Sequence, residues 1–300
     1  MKLEQRVQDI PPAARSEQAG GPVAIICGGG ALPTAVAEGA LRAGRSVHLL
    51  PIEGWAEPRL VERFPHTWIK LGQFRRLCRL AQQAGCREVV LIGKVLRPSL
   101  SMLRFGWSDL PLLPRAFEAF RGGDDRLLSM TAAVFEEHGF RVLGAHEVAP
   151  EILVPEGALG SLSPAERDSA DARQGFAAIA AMGPYDIGQA VVVADNHVLA
   201  VEAIEGTDDM LARIAEMRAQ GRIPVPRGVG VLVKAPKPGQ DRRFDLPAIG
   251  PQTVANVRRA GLAGIAVQAG EVVIAEPEIM IRNADAARIF VAGFPPAAER

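Results

Sequence analysis

The chain has 300 residues, of which 48% are hydrophobic and 23% are charged, a composition typical of globular proteins and not of disordered ones. Its 34 lysines and arginines balance 34 aspartates and glutamates, which disfavours a nonspecific nucleic-acid binder, and no apolar stretch approaches the ~20 residues of a membrane span. The three cysteines show neither metal-ligand spacing nor an even disulfide set, and the N-terminus has no apolar signal core. We therefore expect a cytoplasmic protein without a nucleic-acid partner.

The first half of the chain alternates predicted strands with predicted helices, after a segment at 1–21 that shows no apolar periodicity. This alternation is typical of a parallel sheet with crossover helices. The predicted strands comprise residues 23–27, 46–51, 88–92 and 141–143, and the predicted helices run to about residue 43, over 73–84 and over 126–138. We therefore predict a flexible leader at 1–21 and a Rossmann-like N-terminal domain at 22–149.

The second half has a different pattern, and the composition changes at Ala149-Pro150-Glu151. Two predicted strands flank Asp195-Asn196, a pair that suits a hairpin turn. The strands predicted here are 190–193, 198–203, 229–234, 265–268 and 272–274, and the helices are 164–182, 205–218 and 253–260. We therefore predict an α/β protein in which a distinct α+β domain at 150–300 follows the Rossmann-like one.

A glycine turn, Gly28-Gly29-Gly30, joins the first predicted strand to the first predicted helix. Backbone N–H groups in such a turn can bind an anion at the helix N-terminus, so we predict phosphate contacts at Gly29, Gly30 and Leu32. Pro33 stands where the dinucleotide fingerprint requires its third glycine, which weakens the case for NAD(P). The alternative is a tight turn without a ligand.

Charged pairs follow two further predicted elements. Lys94 and Arg97 follow the third strand, at the edge of a parallel sheet where ligands gather, and we predict that both contact phosphates. Asp124 and Asp125 follow Gly122-Gly123 and open a helix, where acids suit the helix dipole or contact a sugar hydroxyl or a divalent cation. We assign both pairs to substrate binding; the alternatives are solvated loop cations and ordinary helix-terminal acids.

Four carboxylates lie within eight residues at 202–209, where a predicted strand leads into a helix. Helix capping accounts for Thr207 or Asp208 but not for the whole cluster. Clustered hard oxygen ligands suit Mg²⁺. We therefore predict metal contacts by Glu205 and Asp208 and a substrate contact by Thr207.

The segment from Val231 to Pro247 combines four cations, Lys234, Lys237, Arg242 and Arg243, with the carboxylates Asp241 and Asp245. Its cations suit the developing charge on a phosphoryl group, and its carboxylates suit metal binding or the orientation of water. If residues 241–245 are extended, Asp241, Arg243 and Asp245 share one face. A solvated loop of compensating charges is the alternative. We assign catalysis to Lys234, Asp241 and Asp245, a metal contact also to Asp245, and substrate binding to Lys237, Gln240 and Arg242.

Other common chemistries find no support in the sequence. There is no G-x-S-x-G nucleophile motif and no P-loop, and the five histidines are scattered without zinc-ligand spacing. An apolar stretch at 102–117 is interleaved with arginines, which suits acyl chains or an anionic membrane, or alternatively a lid or a packing segment between domains.

Five motifs, at 28–33, 93–95, 123–125, 202–208 and 234–247, together resemble the LpxI-type UDP-2,3-diacylglucosamine diphosphatases, and the resemblance extends from about Val23 to Ile274. It implies a Rossmann-like N-terminal domain, a distinct C-terminal domain and a lipid substrate between them. It also implies hydrolysis of UDP-2,3-diacylglucosamine to UMP and 2,3-diacylglucosamine 1-phosphate, a step of lipid A synthesis. The resemblance further implies that a divalent cation, usually Mg²⁺, is required and that Asp245 corresponds to an essential aspartate.

The same resemblance leads us to expect transient contact with the cytoplasmic face of the inner membrane, because the substrate carries two acyl chains, and a homodimer is a further expectation. Two alternatives stay open at this point. One is a regulator that binds nucleotide sugars or lipids without catalysis, and the other is an NAD(P)-dependent oxidoreductase that uses the glycine turn.

Overall fold

The computed structural model describes residues 21–95, 111–115, 117, 124–238, 240–244 and 246–296. Residues 1–20 of the predicted leader, Arg97 and Asp245 therefore lie outside the described residues, as does most of the apolar stretch at 102–117. Within the described residues, no helix is both long and apolar enough to cross a bilayer.

The first sheet has four parallel strands in the order β2-β1-β3-β4. Its elements are β1 (Val23–Cys27), α1 (Leu32–Arg42), β2 (Val47–Pro51), α2 (Pro58–Val61), α3 (Phe74–Gln83), β3 (Glu88–Ile92), α4 (Asp124–Glu137), β4 (Arg141–Leu143) and α5 (Ala145–Val148). All five residues of β1 are buried, as expected for a central parallel strand that is covered on both faces. The predicted Rossmann-like alternation is thus confirmed.

The second sheet has six strands in the order β5-β12-β10-β8-β6-β7. Its domain comprises β5 (Gly157–Ala158), α6 (Glu166–Met182), β6 (Ala190–Ala194), β7 (His197–Val201), α7 (Gly206–Ala219), β8 (Val231–Lys234), β9 (Ala248–Ile249), α8 (Pro251–Ala260), β10 (Gly264–Gln268), β11 (Val273–Ile274), α9 (Pro277–Ala287) and β12 (Phe290–Phe294). Strands β8, β10 and β12 are parallel, whereas β6 runs antiparallel to both β7 and β8. The second half is therefore a mixed sheet, distinct from the first one.

Beyond Ile274, the end of the last predicted strand, the structure adds α9 and β12. Strand β12 contains Gly293, at which an added Cβ would come within 2.0 Å of the Pro155 carbonyl oxygen. The close approach of these two chain segments explains why a glycine interrupts an otherwise apolar strand.

The two halves of the chain meet beside a small parallel pairing of β9 with β11, both of which belong to the second half. Val273 of β11 belongs to the apolar cluster on one face of the first sheet, and Leu246 and Ala248 pack against that cluster. Phe244 packs against the cluster on the opposite face. The segment between β8 and β9 is therefore anchored to the first sheet by apolar contacts on both faces.

Candidate active site

The glycine turn after β1 is fastened to the loop after β3. Gly28 N donates to the Ile92 carbonyl oxygen at 2.9 Å, and Gly29 and Lys94 exchange two backbone hydrogen bonds of 2.9 Å each. Because the N–H of Gly29 is satisfied within the chain, the predicted anion contact has to use donors closer to α1. Gly30, which is exposed and has φ of +87°, and the half-buried Leu32 lie at that position.

This fastening requires glycine on both sides. An added Cβ on Gly28 would lie 2.7 Å from the carbonyl carbon of Gly93, and one on Gly93 would lie 2.8 Å from the carbonyl carbon of Gly28. Gly93 also has φ of +104°, which L side chains rarely adopt. The two glycines therefore set the distance between the turn and the exposed Lys94.

The acid pair at the start of α4 is only partly described. Helix α4 begins at Asp124, as the sequence indicated to within two residues, but the side chains of Asp124 and Asp125 lie outside the described part of the chain. Their assignment to substrate binding stays a prediction.

A buried polar chain lies at the carboxyl end of β8. Lys234, the last residue of that strand, is only 7% exposed, and its ammonium donates to Thr207 Oγ1 at 2.9 Å and to the Ala248 carbonyl oxygen at 3.2 Å. The Thr207 hydroxyl in turn donates to Glu202 Oε1 at 2.8 Å. The other carboxylate oxygen of Glu202 accepts the Gln189 N–H at 3.0 Å. The structure thus brings together Lys234 and Thr207, which are 27 residues apart in sequence.

Two further acids of the 202–209 segment, Glu205 and Asp208, have partners of their own. Glu205 accepts from Arg213 at 2.8 Å and from the backbone N–H of Ala203 at 3.2 Å. Asp208 accepts from the buried amide of Asn256 at 2.7 Å. Within the described residues, no three Asp, Glu, His or Cys side chains form a group that could hold a metal ion. These side chains therefore do not provide a ready-made protein cage for Mg²⁺.

Sequence reasoning missed Asn256, which ties α8 to the start of α7. Its amide oxygen accepts from Gln252 at 3.0 Å and from Arg259 at 2.7 Å, while its nitrogen donates to Asp208. The available signal was its position between Val254 and Val257 on the buried face of α8, where a polar side chain requires partners.

The loop after β8 contains the predicted phosphate-binding cations, but each has a protein partner. Lys237 forms a close ion pair with Asp186, and the Lys237 N–H donates to Gln240 Oε1 at 3.0 Å. Arg242 pairs with Glu271 at 2.9 Å and stays 60% exposed. A phosphate on these cations would therefore compete with existing contacts, more easily at the exposed Arg242 than at Lys237.

The extended conformation that would place Asp241 and Arg243 on one face is not found at residues 242–244. Residues 242–244 form a turn, and Arg243 folds back onto Asp241, with Nε 3.0 Å from Oδ1 and Nη2 2.8 Å from Oδ2. The hydrogen bond from Arg243 lowers the pKa of the Asp241 carboxyl. A carboxylate with a lowered pKa is a weaker proton acceptor. Asp241 is therefore better suited to holding Arg243 through this two-point pairing than to accepting a proton.

Arg243 also joins this loop to the N-terminal half of the chain. Its Nη1 lies 2.9 Å from Glu136 Oε1 on α4, and Gly144, which follows β4, leaves only 3.3 Å between an ideal Cβ and the Arg243 Cα. Gly144 follows the carboxyl end of β4, and the glycine turn follows the carboxyl end of the parallel strand β1. The loop thus meets the first sheet at the edge where ligands gather in such folds. The two residues that flank Asp245, Phe244 and Leu246, are the ones that pack on opposite faces of that sheet.

Two family models and one relative indicate the same family. Residues 22–152 match the family model described as the LpxI N-terminal domain, and residues 155–292 match the one described as the LpxI C-terminal domain. The chain is 41% identical over 272 residues, 91% of its length and 97% of the relative's, to the protein named UDP-2,3-diacylglucosamine pyrophosphatase LpxI of Caulobacter vibrioides.

A solved structure, the Thermus thermophilus UDP-glucose 4-epimerase in complex with NAD, aligns with 93% of this chain and 88% of its own. Its identity is 14% and its TM-score is 0.30, so it carries no argument about fold or function. The two family models cover most of the chain, and with the 41% identical relative they show that this chain belongs to the LpxI family.

Proposed function

We propose that this protein hydrolyses the pyrophosphate bond of UDP-2,3-diacylglucosamine and releases UMP and 2,3-diacylglucosamine 1-phosphate. The observation that carries the proposal is the 41% identity over 97% of a relative named as that pyrophosphatase. The site adds support, because a buried lysine ends β8 and the loop after it is anchored at the ligand-binding edge of the first sheet.

The reaction adds the oxygen of water to one phosphorus and breaks the bond from that phosphorus to the bridging oxygen. The bridging oxygen stays on the other phosphorus, and both protons of the attacking water pass to the solvent or to the two phosphate products. Attack at either phosphorus gives the same two products. The enzyme therefore has to screen the negative charge of the diphosphate, orient one water molecule and hold the two phosphoryl groups still.

In this proposal Lys234 supplies the buried positive charge at the diphosphate. A cation that is already desolvated and held by Thr207 and the Ala248 carbonyl costs little reorganisation when phosphate charge develops beside it. Arg242, Lys237, Gln240 and Lys94 bind the outer phosphate oxygens or the sugar, and the turn at Gly29, Gly30 and Leu32 faces the nucleotide. Arg97, Asp124 and Asp125 keep their proposed substrate contacts.

Asp245 orients the attacking water or accepts its proton. This role is proposed from the family resemblance of its Arg-Phe-Asp-Leu-Pro sequence and is supported by the anchoring of its neighbours Phe244 and Leu246. Asp241, which forks onto Arg243, contributes to catalysis by fixing this loop.

Dependence on Mg²⁺ is a separate part of the proposal. Proteins often hold Mg²⁺ through one or two carboxylates together with substrate phosphates. The described side chains do not fit a cage of three protein ligands, and Glu205 and Asp208 already accept hydrogen bonds from Arg213 and Asn256. A metal ion at Glu205 and Asp208 would compete with these partners, and Glu205, Asp208 and Asp245 stay its proposed ligands.

We also propose that the protein works at the cytoplasmic face of the inner membrane, where its diacylated substrate would lie, and that it forms a homodimer. Flotation with anionic liposomes tests the first point, and light scattering after gel filtration tests the second. A protein that stays at the bottom of the gradient and has the mass of one chain would contradict both.

The deciding experiment incubates the purified protein with UDP-2,3-diacylglucosamine and measures UMP and lipid 1-phosphate in equal amounts. Parallel reactions contain EDTA, and then EDTA with excess Mg²⁺. We expect UMP with Mg²⁺, a loss with EDTA and recovery on Mg²⁺ addition. Absence of UMP from folded protein with Mg²⁺ overturns the activity, and binding of the substrate without UMP release indicates a regulator instead. UMP release that EDTA leaves unchanged overturns only the metal requirement.

A further inference from the structure

The contacts around Lys234 extend one residue beyond the groups that would touch a substrate. We infer that Glu202 is a positioning residue, which fixes the Lys234 ammonium by orienting the Thr207 hydroxyl. The inference rests on the proposed function, since it assigns how the lysine of that site is held.

The direction of the hydrogen bonds defines the order of the chain. An ammonium only donates, so Lys234 uses Thr207 Oγ1 as an acceptor at 2.9 Å. Thr207 must then turn its own hydrogen elsewhere, and it points to Glu202 Oε1 at 2.8 Å. An ionised carboxylate has no proton to give, so the hydrogen bonds can be donated in one direction only, from Lys234 to Thr207 and from Thr207 to Glu202.

Both the side chain and the backbone of Glu202 are held by hydrogen bonds. Glu202 Oε2 accepts the backbone N–H of Gln189 at 3.0 Å, and the Glu202 N–H donates to the Ala190 carbonyl oxygen at 2.9 Å. Gly188 lies against the Glu202 backbone, where an added Cβ would come within 2.1 Å of the Glu202 carbonyl oxygen. A side chain fixed in this way can define the rotation of the threonine hydroxyl.

The alternative is that Glu202 serves only to fasten the end of β7 to the segment before β6 through Gln189. That role concerns folding and does not depend on Thr207. The two explanations differ in how substitutions at 202 and 207 combine, which a double-mutant cycle measures.

The experiment compares wild type, Glu202→Ala, Thr207→Val and the double variant in the UMP-release assay, with KM and kcat measured separately. If Glu202 acts through Thr207, each single variant lowers kcat, by up to about 100-fold, because the ammonium is misplaced. The double variant then matches Thr207→Val within about 2-fold. Thr207→Ser keeps the hydroxyl and should retain most of the activity.

Asp209→Ala is the matched control, because it removes an exposed carboxylate from the same first turn of α7. It should leave kcat unchanged. Glu202→Gln provides a second variant if Glu202→Ala does not fold. Its amide oxygen can accept from only one of Thr207 and the Gln189 N–H, and its NH₂ group, a donor, faces the other.

The outcomes distinguish a failure of the proposed activity from a failure of the positioning role of Glu202. A wild-type protein that releases no UMP overturns the proposed function and this inference with it. An active wild type in which the effects of Glu202→Ala and Thr207→Val multiply, or in which Glu202→Ala keeps its kcat, overturns the positioning role alone.

Discussion

Arg243 Nη1 lies 2.9 Å from Glu136 Oε1, so an ion pair connects the loop that precedes Asp245 to helix α4 of the N-terminal half. The same guanidinium forks onto Asp241 and lies with its central carbon 5.0 Å from the centre of the Phe244 ring. One side chain therefore organises the loop internally and docks it on the other half of the molecule.

Asp245→Asn should reduce UMP release by at least about 100-fold, because general acid–base groups contribute rate factors of about 10² to 10⁴. Substrate binding should change much less, since the asparagine keeps the size of the side chain. Steady-state kinetics and calorimetric titration with substrate measure the two effects. Asp209→Asn, at an exposed acid, is the control, and an Asp245→Asn enzyme with wild-type kcat refutes the catalytic role.

Removing the interdomain ion pair should have a small effect on stability. The side chains of Arg243 and Glu136 are 37% and 49% exposed, and pairs of this exposure contribute about 0.2–1 kcal/mol. A double-mutant cycle with Arg243→Ala and Glu136→Ala in urea denaturation should give a coupling energy in that range, and it should decrease in high salt. A coupling energy of several kcal/mol would show that the pair is far better shielded from solvent than the structure indicates.

Gly93→Ala should destabilise the protein more than Gly85→Ala. Both glycines have positive φ, +104° and +75°, so both substitutions introduce backbone strain. Only at Gly93 would the new Cβ overlap backbone atoms, those of Gly28, at 2.8 and 2.9 Å, whereas nothing lies within 4 Å at Gly85. Overpacking adds about 1–3 kcal/mol, so the difference between the variants in free energy of unfolding should have that size. Equal stabilities would mean that the Gly28–Gly93 contact relaxes at no cost.

Stability should depend on pH through Asp241, whose carboxyl pKa is lowered chiefly by its hydrogen bond with Arg243. A lowered folded-state pKa stabilises the protein above the unfolded-state pKa of about 4, and this contribution is lost as the pH falls through the folded-state value. Wild type should therefore exceed Asp241→Asn in unfolding free energy at neutral pH by at most about 1 kcal/mol, given the partial exposure. Urea titrations from neutral pH down to about pH 3 should show the difference shrinking below the unfolded-state pKa. If the difference in unfolding free energy between wild type and Asp241→Asn grows as the pH falls, the pKa of Asp241 is not lowered in the folded protein.

The sequence by itself determined the succession of elements in the first sheet and the places where charge gathers. Continuous apolar runs such as Val23–Cys27, followed by glycine and a helix with Pro33 in its first turn, encode a buried strand and its crossover through local preferences. The family resemblance likewise follows from local motifs.

Only the tertiary structure decided which charged groups meet. Thr207 and Lys234 come within 2.9 Å because the start of α7 lies at the carboxyl end of β8. Arg243 pairs with Asp241 and Glu136 in a turn, although the alternation of residues was also compatible with an extended segment. Side-chain pairing depends on distances between elements that are far apart in sequence, and hydrogen bonds lose their value steeply with misalignment. No periodicity within one segment contains that information, so the partners of these groups are determined by the fold as a whole.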